Sequence, residues 1–305
     1  MKTFRTSDSK LFPAVTRTFS PSPQCEAFHR RSELLSSQLF ERQNSSLAET
    51  TLKKSSGHNF LKRKDACLAF LHGLLEGDGS IQVNQWKQRI LQFRIVIKLK
   101  MTPMNYHMCV LLNTSLEKLF GIPYFNIHIR KGNILLIQDD QTKLKRIVSY
   151  LDTFPFLTLK MQQRYHLFKY CLFHTITMSE YKYLKKHMDM VPGFKKKPMP
   201  SLQASWLQWW IVGFVEAEGC FCIRKNKRLS FSIGQKDEYE VIKMIAAFFH
   251  MPNKIQQKPL GMYVVEGSQR AMLRNMIRFF EKFPLLGEKK VHFDSFVQVF
   301  HTPKS

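Results

Sequence analysis

The feature that most constrains this chain is an internal duplication. Residues 70–79 read Phe70-Leu71-His72-Gly73-Leu74-Leu75-Glu76-Gly77-Asp78-Gly79, and residues 210–219 read Trp210-Ile211-Val212-Gly213-Phe214-Val215-Glu216-Ala217-Glu218-Gly219. Each is an apolar helical run with small residues four apart, Gly73 and Gly77 in one and Gly213 and Ala217 in the other, closed by an acid and a glycine. A second echo follows each: Phe154-Pro155-Phe156-Leu157 with Lys160, and Phe283-Pro284-Leu285-Leu286 with Lys289. From Gly79 to Pro155 is 76 residues and from Gly219 to Pro284 is 65, so the halves are repeats that differ in length by 11. A helix bare of side chains at i and i+4 can press its backbone against another helix, and the glycine after the acid ends it. Two such helices, one per repeat, pack as a pair and hold Asp78 and Glu218 side by side at the seam.

Within each half the periodicity reads αββαββα, an α+β class. Ser80 to Trp86 is a strand; in the next, Arg89 to Lys100, Leu91, Phe93, Ile95, Ile97 and Leu99 alternate with Gln92, Arg94, Val96, Lys98 and Lys100, the period of a half-buried sheet. Thr102-Pro103 opens a helix to about Phe120 as N-cap and first helical residue. Tyr124 to Arg130 and Ile134 to Gln138 form a hairpin around Lys131-Gly132-Asn133, and helical patterns follow over 140–152 and 161–174. The second half repeats this with Cys220 to Lys225, Leu229 to Lys236, a helix opened by Asp237, strands near 253–258 and 262–266, and two more helices. The expected organisation is a flexible N-terminal extension over 1–59, a first domain over 60–177, an exposed basic linker over 178–201 and a second domain over 202–305. The linker carries Lys182, Lys185, Lys186, Lys195, Lys196 and Lys197.

Charge narrows the partner. The 47 Lys and Arg against 23 Asp and Glu give +24 on a chain that is 44% hydrophobic, the signature of a folded protein that meets a polyanion, with nucleic acid foremost. The extension holds nine cations and five acids, a weak transit-peptide-like bias, which leaves +20 on residues 60–305. The most apolar stretch, Trp206 to Val215, is interrupted by Gln208 and stops at Glu216, short of the roughly 20 residues a bilayer requires, so no membrane partner is expected. The six cysteines are scattered; Cys220 and Cys222 are the one close pair and have no second pair to complete a zinc site, so all six read as reduced, packed thiols of a non-secreted protein.

Two carboxylates close together at helix C-termini repel one another, and a divalent cation relieves them. Hard oxygen ligands with water and phosphate suit Mg²⁺ (or Mn²⁺), and metals at a phosphate support in-line phosphodiester hydrolysis. The competing view, that Glu76, Asp78, Glu216 and Glu218 are ordinary helix-end acids facing water, fits one motif better than two in register. The strands point the same way. Ser80 to Lys100 holds no acid and five cations, Lys87, Arg89, Arg94, Lys98 and Lys100; Cys220 to Lys236 again holds no acid and five, Arg224, Lys225, Lys227, Arg228 and Lys236. Acid-free strands suit a β surface in the major groove, where cations hold phosphates and side-chain donors and acceptors read bases. The expected DNA contacts are Gln82, Asn84, Arg89, Gln92, Arg94, Lys98, Lys100, Asn126, His128 and Arg130, with Arg224, Asn226, Arg228, Ser230, Ser232 and Lys236 in the second half. Lys98, with Lys258 or Lys236, is the candidate to stabilise charge at the scissile phosphate; Lys98 and Lys258 are taken as the catalytic pair. His72, whose counterpart is Val212, reads as packed, and Trp206, Trp209 and Trp210 as core and interface.

Leu71 to Gly79 and Ile211 to Gly219 resemble the two signature motifs of the LAGLIDADG homing endonucleases in their single-chain, two-motif, intron-encoded form, and the resemblance covers about residues 60–305. It implies two pseudo-symmetric domains whose sheets form a DNA-binding saddle. It also implies that Asp78 and Glu218 bind the catalytic metals and activate water, with the backbone carbonyls of Gly77 and Ala217 completing coordination. The expected protein is a monomeric endonuclease that makes a double-strand break in a long double-stranded site to promote intron mobility, in a mitochondrion or alternatively a chloroplast. The alternative is an RNA maturase whose partner is its host group I intron RNA. An intein is disfavoured, because residue 1 is neither Cys nor Ser.

Overall fold

The computed structural model describes residues 61–86, 90–121, 125–225 and 228–302. The expected extension over 1–59, and the predicted contacts Arg89 and Asn226, lie outside them. In the first half α1 (Lys64–Asp78) runs into β1 (Gly79–Trp86) and β2 (Ile90–Lys100), then α2 (Pro103–Phe120), β3 (Asn126–Arg130), β4 (Asn133–Gln138), α3 (Gln141–Leu151) and α4 (Leu159–Phe173). After α5 (Met178–Lys186), the second half repeats the order with α6 (Leu207–Glu218), β5 (Gly219–Ile223), β6 (Leu229–Lys236), α7 (Tyr239–Phe248), β7 (Gln256–Lys258), β8 (Met262–Gly267), α8 (Arg270–Lys282) and α9 (Glu288–His301). Each half is thus an αββαββα unit extended by one further helix. Both belong to one compact unit of the chain.

The two sheets have equivalent orders, β1-β2-β4-β3 and β5-β6-β8-β7, antiparallel throughout. Registers match as well: Gly79 pairs with Ile97 and Gly219 with Ile233, which makes Lys100 and Lys236 equivalent. Period-two alternation puts Ile81, Val83, Phe93, Ile95 and Ile97 against the helices, all buried. In the second half the same face is phenylalanine-rich, with Phe221 edge-on to Phe280, Phe293 and Phe296 at 5.4–5.7 Å.

The close-packed helix pair is α1 with α6. A methyl group on Gly73 would stand 2.0 Å from the Trp210 carbonyl oxygen, and one on Gly213 would stand 2.1 Å from that of Phe70. The absent side chains are therefore what lets the backbones touch, as the spacing predicted. The glycines after the acids act differently from the expectation. Gly79 has φ −97° and Gly219 φ −72°, ordinary extended backbone rather than a left-handed cap. A Cβ at Gly79 would meet the Leu75 carbonyl oxygen at 2.3 Å, and one at Gly219 would meet Val215 Cγ1 at 2.6 Å, so glycine is selected by space as helix turns to strand.

Two further expectations need amending. The 178–201 segment is not a plain connector: Tyr181 and Leu184, three apart on α5, are buried, and the Tyr181 hydroxyl donates to the Val83 carbonyl of edge strand β1 at 2.6 Å. Its six lysines are exposed. The helix after β6 is opened by Glu238, its N-cap, while Asp237 takes a left-handed φ of 60°. Thr102 caps α2 as expected, accepting from the Asn105 N–H at 3.2 Å with Pro103 first in the helix.

Candidate active site and nucleic-acid interface

Helices α1 and α6 end in Asp78 and Glu218, half-buried where the pair meets the two sheets. The seam is tight: a Cβ on Gly77 would stand 2.2 Å from Ala217 Cβ and 3.3 Å from Glu218 Cγ. Burial pushes the Asp78 carboxyl up to about 6, against the opposing pull of Lys289. Burial and then the Asp78 charge push Glu218 up to about 7, while the Gln235 amide and the charges of Lys289 and Lys160 oppose. Gln235 Nε2 donates to Glu218 Oε1 at 3.2 Å. Strand register puts Leu99, not a second donor, at the equivalent place beside Asp78.

The inner acids do something else. Glu76 accepts the Leu157 N–H on both carboxylate oxygens (3.0 and 2.9 Å), the Thr158 N–H at 2.6 Å, and the Trp210 indole N–H from the other half at 2.8 Å. Glu216 accepts the Leu286 and Gly287 N–H groups on Oε1, and its Oε2 has no hydrogen-bond partner among the described residues. These N–H groups open α4 and α9, so both carboxylates satisfy helix N-termini that would otherwise be buried unpaired. The competing view of Glu76 and Glu216 as acids facing water does not hold, because both are 5% exposed and bonded. Burial raises both to about 7 while the N–H donors oppose it.

The same helix starts carry the cations of the site. Lys160 and Lys289 each stand two residues into α4 and α9; the charge of Lys289 acts on both Asp78 and Glu218, and that of Lys160 on Glu218. A pocket beside the seam is walled by Gly77, Gly79, Lys160 and Arg164 from the first half and by Gln235 and Lys236 from the second. Sequence reasoning named Lys236 but passed over Lys160, Lys289, Arg164 and Gln235. The signal for the first two was present, since they close the duplicated Phe-Pro echoes. Of the pair taken as catalytic, Lys98 is exposed on the outward face of β2, next to Ile97, which pairs with Gly79. Lys258 stands on β7, where its charge acts on Glu266.

Among the described residues no three His, Cys, Asp or Glu side chains gather as a metal cage. What the seam offers is two carboxylates with adjacent backbone carbonyls at Gly77 and Ala217, an all-oxygen donor set. His72 is fully buried 4.6 Å from the Phe156 ring, with no partner for either ring nitrogen among the described residues; burial lowers it to about 3, so it is neutral and packed, as expected.

The outward sheet faces gather most of the predicted DNA contacts. In the first half the pairs Gln82 with Arg94 and Asn84 with Gln92, then Lys98, Lys100, Asn126, His128 and Arg130, share one face by register. Arg94 pairs with Asp139 at 3.3 Å across a half-exposed gap, a contact that a phosphate can displace at small cost. The second face is less uniform. Ser232 and Lys236 lie on it, but Ser230 is only 3% exposed and Arg224 is held by Glu266 at 2.7 Å, an acid on β8 that the strand-by-strand charge reading missed. Arg228 is exposed in the turn before β6. Cys220 is exposed on this face rather than packed, whereas Cys67, Cys109 and Cys171 are buried and free; Cys25 is outside the described residues.

Among the described residues no helix is long and apolar enough to cross a membrane. The family model for LAGLIDADG endonucleases matches residues 71–172 and again 211–300, one match per half. A probable intron-encoded endonuclease aI3 of Dictyostelium citrinum is 34% identical over 242 residues, covering 76% of this chain and 94% of that protein. A protein of the same description from Debaryomyces hansenii is 30% identical over 76% of this chain, but only 38% of its own length is matched. Among solved structures, the fold is shared with the LAGLIDADG homing endonuclease I-GzeII in complex with its DNA target (TM-score 0.58, 16% identity, 76% of this chain and 89% of that one). It is shared equally with I-SmaMI bound to uncleaved DNA in the presence of calcium ions (TM-score 0.56, 14% identity, 76% and 90%). Two motif matches, a duplicated fold and paired acids at the helix seam agree: the chain belongs to the LAGLIDADG endonuclease family.

Proposed function

We propose that this protein is a site-specific DNA endonuclease that hydrolyses one phosphodiester bond in each strand of a long target, in the service of intron homing. The observation that carries the reading is the pair of half-buried carboxylates, Asp78 and Glu218, beside an outward β face of the first half rich in cations and amides and the sparser face of the second half. Among the described residues Gln235 Nε2 is the one hydrogen-bond donor to this pair, so a cation is its natural complement. Asp78 and Glu218, with the Gly77 and Ala217 carbonyls, would hold divalent ions, Mg²⁺ or Mn²⁺, which when bound acidify water and polarise phosphate. Around them this chain's own groups have distinct tasks. Lys160 and Lys289 stabilise negative charge developing on the phosphates, Gln235 orients Glu218, and the first-half sheet face grips the duplex.

Both halves of the helix pair come from one chain, which supports action as a monomer. We place that action in an organelle, the mitochondrion before the chloroplast, because the curated relatives are intron-encoded. The site does not favour the maturase alternative, since assisting RNA folding makes no demand for carboxylates at the seam. The test is a cleavage assay in Mg²⁺ and in Ca²⁺ on intron-lacking alleles, with Asp78→Asn and Glu218→Gln. Both variants should bind the duplex and fail to cut it. Cutting by both at the unsubstituted rate would overturn the reading, and rescue of splicing by the double variant would restore the maturase.

A further inference from the structure

Each lysine-bearing helix is held at its start by two groups from different halves. Within its own half, α4 is met by Glu76 and α9 by Glu216. The next donors are taken from across the interface. Glu238 Oε2 accepts the Leu159 N–H at 2.9 Å, and its Oε1 accepts the N–H of Lys160 itself at 3.0 Å. In mirror fashion Asn105 Oδ1 accepts the Glu288 N–H at 2.8 Å, one residue before Lys289. Neither acceptor is accidental in placement. Glu238 is the N-cap of α7 and Asn105 lies in the first turn of α2, so each stands at the start of the helix that follows the second strand of its half, and both are 7% exposed.

The acceptors are also tied to the strands that face outward. Asn105 Nδ2 donates to the Lys100 carbonyl, the last residue of β2, at 3.0 Å. Glu238 follows Lys236, the equivalent last residue of β6, by two residues, across a left-handed Asp237 whose N–H is fixed to the Gly261 carbonyl at 2.8 Å. A short rigid path therefore leads from the end of each half's outward strand to the backbone of the other half's lysine.

We propose that Glu238 and Asn105 are positioning residues that set Lys160 and Lys289 from the opposite half, so that cutting of each strand depends on both halves being seated. This rests on the reading of the seam as an endonuclease site. The two devices are unequal: Glu238 is a carboxylate with two N–H donors, and Asn105 is a neutral amide with one. Loss of Glu238 displaces its lysine more.

The experiment uses the full chain and a target recovered by selection for cleavage, carried once on a supercoiled plasmid to score nicking and once on a linear duplex with each strand end-labelled separately. Glu238→Ala is expected to slow cutting of one strand by about 10- to 100-fold, because small misplacement of a catalytic group costs rate of that order, and to accumulate nicked circles. Asn105→Ala should slow the other strand, by less. Duplex affinity should stay unchanged, and Asn105→Asp, which keeps the acceptor oxygen for the Glu288 N–H but loses the donor to the Lys100 carbonyl, should recover the lost strand only in part. Should Glu238→Ala fail to fold, Glu238→Gln keeps the size and one acceptor and should show the same strand bias more weakly. Equal slowing of both strands, or no slowing, in the Glu238 and Asn105 variants overturns the proposal, provided that Lys160→Ala and Lys289→Ala each slow one strand selectively. If the two lysine variants show no strand selectivity, the lysine assignment in the site reading fails, and the proposal with it.

Discussion

Two pairs of acids sit two residues apart on the same two helices and meet opposite fates. Glu76 and Glu216 find backbone N–H donors inside the protein; Asp78 and Glu218, with the single exception of Gln235, find each other. Burial pushes all four above the usual carboxylate range. Only the inner pair is compensated by hydrogen bonds that open a helix. The lesson is that a conspicuous acid in a motif is not functional by virtue of being in the motif. The inner acids bind the motif helices to α4 and α9, and the terminal acids are left with unmet demand for positive charge.

The largest expected effect breaks the terminal pair. Asp78→Asn or Glu218→Gln should lower the cleavage rate by about 10³-fold or more, in the range seen when a principal charge-stabilising group is removed. The same substitutions remove a repelling charge, so the metal-free protein should melt at an equal or higher temperature, read by calorimetry. The inner pair should behave in the opposite sense. Glu76→Ala strands three buried donors, those of Leu157, Thr158 and Trp210, and should destabilise by about 3–5 kcal/mol in denaturant unfolding. Glu216→Ala should cost less, about 2–3 kcal/mol, because Phe70 stands where Trp210 does and contributes no donor.

These contrasts mark what could be read from residues alone. The helix pair and the hairpins were legible because glycine spacing and period-two alternation are local patterns with one physical reading each. Asp78 and Glu218 followed from them. Lys160 and Lys289 were visible as repeated letters, but their task depends on which helix start reaches the seam, a tertiary fact. Glu238 and Asn105 were invisible for the same reason, since their partners lie 79 and 183 residues away in the chain. The engagement of Arg224 and Lys258 was hidden because Glu266, which bonds Arg224 and feels the charge of Lys258, belongs to a strand whose register is set only when the sheet forms.

The smallest effect expected is on the acid side of neutrality. In the metal-free protein Asp78 has its folded value near 6, and Glu76, Glu216 and Glu218 near 7, all above the unfolded carboxylate values near 4. Between about pH 4 and pH 7 these four carboxyls bind more protons in the folded protein than in the unfolded one, which outweighs the one proton that buried His72, lowered to about 3, does not take up, so stability falls as pH rises through that window. The melting temperature should decline from pH 5 to pH 7.5. The slope should be shallower in the Asp78→Asn, Glu218→Gln double variant, where the terminal pair no longer titrates. Calcium should raise the melting temperature more at pH 7.5 than at pH 5.5, because protons and the cation compete for the terminal carboxylates, and it should do so in the unsubstituted protein but not in the double variant. A calcium response of equal size in both proteins would place the cation elsewhere and erase the distinction between the two pairs of acids.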